Sequence, residues 1–315
     1  MNRPKLGIST CLLGENVRYD GGHKLDRYLR DVLGPFVEWV PVCPEAECGL
    51  GIPREAMHLE GTPEAPRLIT RKTRIDHTDK MVRWAEMRLN ELQKENLCGY
   101  VFKAKSPSSG MRDIKIYSEK GHPLSKGSGI FAGLFMKRFP LIPVEDEGRL
   151  NDPGLRENFI ERIFVYWRWQ QFIQNNRTAK GFVDFHTAHK LALMAHSPAI
   201  LRELGRIVAE NKGVPAQSIL DRYLESMMTS LKLIATVRKN TNVLQHVMGY
   251  FKKVLSPDEK QELLEIIEQY HRKQVPLIVP VTLLNHYVRK FDESYLKQQV
   301  YLNPHPMELM LRNHV

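Results

Sequence analysis

The spacing of apolar and polar positions changes character near residue 150. Before that point, short apolar runs alternate with helical patterns. Leu6–Thr10 reads as a strand that ends at Cys11-Leu12-Leu13-Gly14. Residues 23–33 (HKLDRYLRDVL) carry helical spacing, stopped by Gly34-Pro35. Residues 36–42 (FVEWVPV) alternate and run into Cys43-Pro44, a second strand that ends at a cysteine. A helix near 79–96 sets Met81, Trp84, Met87, Leu89 and Leu92 about one turn apart. Residues 99–104 (GYVFKA) form the next strand and open into Lys105-Ser106-Pro107-Ser108-Ser109-Gly110; a strand at 114–118 and a helix around 129–138 follow. Strands alternating with helices predict an α/β domain, Rossmann-like, with a mostly parallel sheet.

From Asn151-Asp152-Pro153 onward the pattern is helical throughout. That tripeptide is itself a helix start, with an N-cap candidate and proline in the first turn. Helices are predicted near 154–175, 182–195, 198–211, 215–237, 241–254, 257–273 and 279–300. Ser256-Pro257-Asp258-Glu259 is a cap with acidic residues in the first turn. The expected organisation is therefore an α/β domain over 1–150 and an all-α domain over 151–315.

The bulk numbers narrow the class. At 315 residues the chain suits two domains of ordinary size. Its 42% hydrophobic and 26% charged residues are those of a soluble globular protein. No run approaches the length needed to span a bilayer, and the N-terminus enters a strand pattern without an apolar leader, so a cytoplasmic protein is expected. The net charge is +10, with 24 basic against 20 acidic residues up to residue 150 and 22 against 16 beyond it. The excess is shared between the halves and suits contact with nucleic acid, although a merely basic soluble protein has the same composition.

Four cysteines, Cys11, Cys43, Cys48 and Cys98, do not make a disulfide scaffold in a cytosolic chain. In a parallel α/β sheet, ligands bind at the carboxyl ends of the strands. Cys11, Cys43 and Cys48 follow strands there, as does the Ser106–Gly110 loop. Cys98 stands at the start of its strand, at the opposite edge, and reads as a buried structural thiol. Three soft thiolates suit iron–sulfur or zinc, and three protein ligands leave one metal position open for chemistry. Inert buried thiols are the competing reading. Glu45, between Cys43 and Cys48, is either a general acid/base or a solvated loop carboxylate. The serine loop offers hydroxyls and amides to an anion or a base edge, or is an ordinary turn. The Tyr19–Lys24 segment, with Gly21-Gly22, either approaches a ligand closely or turns into the next helix.

Together, Ser9–Gly14, Val17–Lys24, Val42-Cys43-Pro44-Glu45 and Lys105–Gly110 resemble the TudS thiouracil desulfidases in order and spacing, over residues 5 to about 145. The helical part, with Phe185-His186-Thr187-Ala188-His189-Lys190, is similar to a domain of obscure function often fused to it, and the combination looks most like the RudS tRNA 4-thiouridine desulfidases. The resemblance implies a 4Fe–4S cluster on three cysteines with one open iron. That iron takes the sulfur of the base as hydrosulfide while water replaces it on the ring, without redox change. It implies Cys11 and Cys43 as ligands, Glu45 for proton transfer and Ser106 near the substrate. On the same motifs Ser9, Tyr19, Asp20, Lys105, Ser108 and Ser109 are expected to bind substrate. The smaller family members carry cysteine where this chain has Ser109, so Cys48 is expected to be the third ligand, with Cys98 the alternative.

In the helical half, Arg238-Lys239 and Lys252-Lys253 mark a basic helical face for phosphates or a solvated one. Tyr166, Trp167 and Trp169 suit base stacking or a domain core. His186, His189 and His196 lack a carboxylate at metal-site spacing and read as packing histidines. The leading function is desulfurisation of 4-thiouridine in tRNA. A desulfidase for free thiouracil or thiouridine is the alternative, and a non-catalytic nucleic-acid-binding protein with a structural metal is the rival from another class.

Overall fold

The computed structural model describes residues 3–314, and these form two compact units that divide after Asn151. In the first unit, β1 (Lys5–Ser9), β2 (Glu38–Val42), β5 (Gly99–Phe102) and β8 (Val144–Asp146) make a parallel sheet in the order β2-β1-β5-β8. Leu6, Ile8, Tyr100, Val101 and Phe102 are fully buried, as near-continuous apolar runs in a sheet covered on both faces should be. Helix α2 (Thr78–Lys94) buries Met81, Ala85, Leu89 and Leu92, and α3 (Ile130–Arg138) buries Phe131 and Phe135 against Tyr100 and Phe102.

A second sheet was not foreseen. It is mixed, in the order β4-β3-β6-β7, from β3 (Met57–Gly61), β4 (Pro66–Thr70), β6 (Ile114–Tyr117) and β7 (Pro123–Gly127). Only β3 and β6 pair in parallel. The expected helix over 23–33 shrinks to a single π-helical stretch, Tyr28–Leu33. Before it, the amides of Lys24 and Asp26 donate to the carbonyls of Cys11 and Leu12, so this backbone is tied to the turn after β1 and cannot build a helical ladder.

The second unit is helical: α4 (Pro153–Asn175), α5 (Ala179–His196), α6 (Pro198–Glu210), α7 (Gln217–Lys232), α8 (Val237–Met248), α9 (Pro257–His271), α10 (Ile278–Lys290) and the short α11 (Ser294–Lys297). The helix expected over 279–300 breaks at Asp292, which adopts a left-handed backbone, and Glu293 then caps the next turn. Trp169 stacks on Tyr223 in the core, at 5.4 Å and 11°. His196 does have a carboxylate partner, Glu161, 35 positions away in sequence but 3.4 Å away in space. Lys239 turns its ammonium onto the carbonyls of His196 and Ile234, so that cation serves the fold. No helix of the described residues is long and apolar enough to cross a membrane.

Candidate functional site

Three adjacent strands of the parallel sheet deliver the site. Beyond the carboxyl ends of β1, β2 and β5 lies a cavity of about 430 Å³, bordered by Cys11, Cys43, Glu45 and the Ser106–Ser109 loop. Ser9, Tyr19 and Lys105 also line it. Ser9 accepts a hydrogen bond from the Lys103 amide at 2.9 Å, which pins the end of β1 to the end of β5.

Glu45 is the organising side chain. Short helix α1 (Pro44–Glu47), with Cys43 at its N-cap, turns it toward the serine loop. Ser108 donates to its Oε1 at 2.7 Å, and Ser106 lies 3.5 Å from the same oxygen. Arg54 donates from Nε and Nη2 to Oε2 at 2.8 and 2.6 Å, and its guanidinium also holds the carbonyls of Val17 and Gly51. The pair is nearly dry, with side-chain exposures of 6% for Arg54 and 13% for Glu45. A nearly dry pair in which two guanidinium nitrogens converge on one carboxylate oxygen is held in one geometry.

The serine loop is fixed from below. Amides of Ile130 and Ala132 at the start of α3 donate to the carbonyls of Pro107 and Ser108, and Gly129 donates to Gly110 at 2.7 Å. A Cβ on Gly129 would meet the Ser108 backbone at 2.6 Å, so only glycine permits this approach. Ser108 and Ser109 are consequently buried. Lys103 pairs with Glu147, which also accepts from the Ala104 amide at 2.7 Å.

The thiols are desolvated. Burial pushes Cys11 and Cys48 up to about 11 and Cys98 up to about 12, and raises Cys43. None would act as a free thiolate nucleophile at neutral pH. A bound metal reverses that balance, because coordination deprotonates a thiol. Cys43 lies within electrostatic reach of both Cys11 and Cys48. Cys48 does not line the cavity: its Sγ donates to the Glu45 carbonyl at 3.4 Å and it packs with Met57, Leu59 and Met81. Among the described residues no three cysteine, histidine or acidic side chains already converge as metal ligands. In chemical type the three thiols fit an iron–sulfur group, with two of them at the cavity wall and the third one turn away behind Glu45.

Asp20 also stands outside the lining. It accepts from the Gly22 amide at 3.1 Å and pairs with Arg18 at 3.3 Å, shaping the turn that presents Arg18 and Tyr19 to the cavity. Cys98 sits at the opposite sheet edge, its amide on the carbonyl of Lys5, the first residue of β1. The sequence reading missed Arg54 and Arg71, which line the cavity, and gave no separate role to Arg18 and Lys24, which line it from within the Val17–Lys24 motif. Isolated cations in loops carry no periodic signal.

A family model described as 2-thiouracil desulfurase matches residues 6–147, and one described as a protein of unknown function, DUF1722, matches residues 190–306. The uncharacterized protein YbgA of Escherichia coli K12 is 30% identical over 153 residues, covering 48% of this chain and 90% of that protein. Among solved structures, a [4Fe-4S]-dependent thiouracil desulfidase, TudS, is 29% identical over 48% of this chain and 95% of its own, with a TM-score of 0.38.

Proposed function

The chain belongs to the family of Escherichia coli YbgA and carries a 2-thiouracil desulfurase domain in its first half, and on that premise we propose that it replaces the sulfur of 4-thiouridine in tRNA by oxygen. The observation that carries the proposal is one cavity shared by Cys11, Cys43 and the Glu45–Arg54–Ser108 network. Cys11, Cys43 and Cys48 would hold a 4Fe–4S cluster with one iron free of protein ligands. When bound, that cluster supplies a soft Lewis acid for the departing sulfur.

The balance is that of a hydrolysis: the thiocarbonyl carbon gains the oxygen of water, and sulfur leaves as hydrosulfide with a proton. Glu45 takes one proton of the attacking water on Oε1, the oxygen that Arg54 leaves free, and passes it to the departing sulfur; the second water proton is released as the new carbonyl forms, and the ring N–H is unchanged. Ser106 and Ser108, both within 3.5 Å of Oε1, hold the carboxylate toward the cavity. Of the cations that line the cavity, Arg54 is held by Glu45, Lys103 by Glu147 and Arg18 by Asp20, while Lys24, Arg71 and Lys105 have no carboxylate partner among the described residues, which favours a phosphate-bearing substrate over a neutral base.

Protein purified without oxygen and reconstituted with iron and sulfide should remove the 4-thiouridine absorbance from bulk tRNA. Turnover of free thiouracil or thiouridine with tRNA left untouched would replace the tRNA reading by the free-base one. Tight tRNA binding with no loss of sulfur from any substrate would favour the non-catalytic binding protein.

A further inference from the structure

A second cavity, of about 350 Å³, opens beside the first, and the two share Met57, Arg71, Lys105 and Pro107. Both volumes fall in the roughly 300–1,000 Å³ range of ordinary ligand sites. We infer that this second cavity receives the nucleotide adjacent to the thiolated one in an RNA strand, with Arg71 and Lys105 on the phosphate between them. The inference rests on the reading of the first cavity as the thiolated-base site.

Charge is placed where a polynucleotide needs it. Arg71 and Lys105 stand at the divide, and among the described residues neither ammonium nor guanidinium has a carboxylate partner. Lys105 is held with a φ of 61°, a left-handed backbone uncommon outside glycine, so its direction is imposed by the loop. Lys115 adds a third unpaired cation on the far wall. The acid on that wall, Asp113, is exposed and already accompanied by Arg112 at 3.3 Å and Lys126 at 3.7 Å.

The remaining wall suits a base. Tyr117 and His58 meet edge to face at 5.6 Å and 82°, presenting aromatic surface of the kind on which single-stranded bases stack. His58 donates Nε2–H to Glu60 at 2.6 Å, and its Nδ1 is buried with no hydrogen-bond partner. In the neutral ring that leaves Nδ1 an acceptor without a partner, beneath the aromatic surface. Aromatic surface and cations at the junction repeat the base–phosphate–base order of a strand. A free nucleobase or nucleoside would fill the first cavity alone.

The test compares the affinity of the full-length, anaerobically purified protein for a ribotrinucleotide with 4-thiouridine at its centre and for 4-thiouridine nucleoside, by fluorescence anisotropy and competition. The wild type should prefer the trinucleotide by at least tenfold. Lys115→Glu and Tyr117→Ala, each checked by circular dichroism, should reduce that preference severalfold. A wild type without the preference, or variants that both keep it in full, overturns the inference. The proposed activity is scored separately: a protein that prefers the trinucleotide but removes no sulfur retains the second site and loses the desulfidase reading. Turnover without strand preference does the reverse.

Discussion

Arg54 grips one oxygen of Glu45 through two nitrogens and leaves the other oxygen to the serine loop. The two halves of the carboxylate thus have separate tasks: Oε2 is anchored, and Oε1 faces the hydroxyls of Ser106 and Ser108 and the cavity.

Glu45→Gln should keep the fold and the metal and lose turnover by about a hundredfold or more, the range for removing a general acid/base. Arg54→Met should lose turnover too, and should also destabilise the first unit, by less than the about 3–5 kcal/mol of a fully buried pair, because it leaves a nearly dry carboxylate without its counter-charge. Arg54→Lys should fall between them, since an ammonium cannot reproduce the fork. Parallel kinetics and thermal melts separate the three. A Glu45→Gln enzyme with near wild-type kcat would remove Glu45 from the chemistry.

Gly129→Ala tests whether the serine loop is set by its contact with α3. The added methyl meets the Ser108 carbonyl and carbonyl carbon at 2.6 Å, both backbone atoms that no rotamer change can move. Overpacking of this kind costs about 1–3 kcal/mol, and the displaced Ser108 hydroxyl should loosen Glu45. The expected result is a drop in kcat greater than the drop in stability alone explains, and Gly133→Ala serves as a control, since its Cβ would meet only the movable Ser128 hydroxyl.

How far these features could be read beforehand differs by element. Strand ends carrying Cys11 and Cys43, and the loop after β5, were legible because apolar runs stop abruptly at turn-forming residues. Helix starts were legible for the same local reason: Asp152 caps α4 by accepting from Leu155, and Ser256 and Glu259 form a reciprocal box. The second sheet was not, because β3 and β4 are five residues each, β4 begins at a proline, and antiparallel pairing is a property of two segments and not of either alone. Arg54 and Glu45 are nine positions apart across a Gly/Pro turn, and the sulfur of Cys48 points by packing against Met57 and Leu59, neither of which leaves a mark on spacing. Glu161 meets His196 only because α4 and α5 pack.

The helical unit should lose stability in mild acid. Burial pushes His189 down to about 3 and His186 down to about 4. Unfolded, both take up a proton near 6.5. Between those values the unfolded state binds more protons, so stability is present above about pH 6.5 and is lost as the pH falls toward 3–4. His196, raised beside Glu161, has its contribution in place below 6.5, and Glu161, lowered to about 2, keeps its charge across the window. Hydrogen exchange across residues 179–196 at pH 7 and pH 5 should show weaker protection at pH 5. His189→Phe, which keeps the ring stacked on Phe185 at 4.1 Å, should flatten that dependence; equal slopes in wild type and variant would assign the acid sensitivity elsewhere.

The third thiol is the sharpest test of the metal centre. Cys48 lies behind Glu45 with its Sγ on the Glu45 carbonyl, whereas Ser109 is buried on the cavity wall itself. If Cys48 completes the cluster, Cys48→Ala should lose most of the iron and sulfide bound on anaerobic reconstitution. Cys98→Ala, at the far edge of the sheet, should retain it. A thiol placed at 109 would face the same cavity as Cys11 and Cys43, so Cys48→Ala combined with Ser109→Cys should recover iron content and the cluster's visible absorbance. Full iron content in Cys48→Ala alone would show that two cysteines and a non-thiol ligand suffice. Loss of iron in Cys98→Ala with a normal melt would mean that the thiol at the start of β5 reaches the cluster, and that the sheet is crossed in a way its present register does not allow.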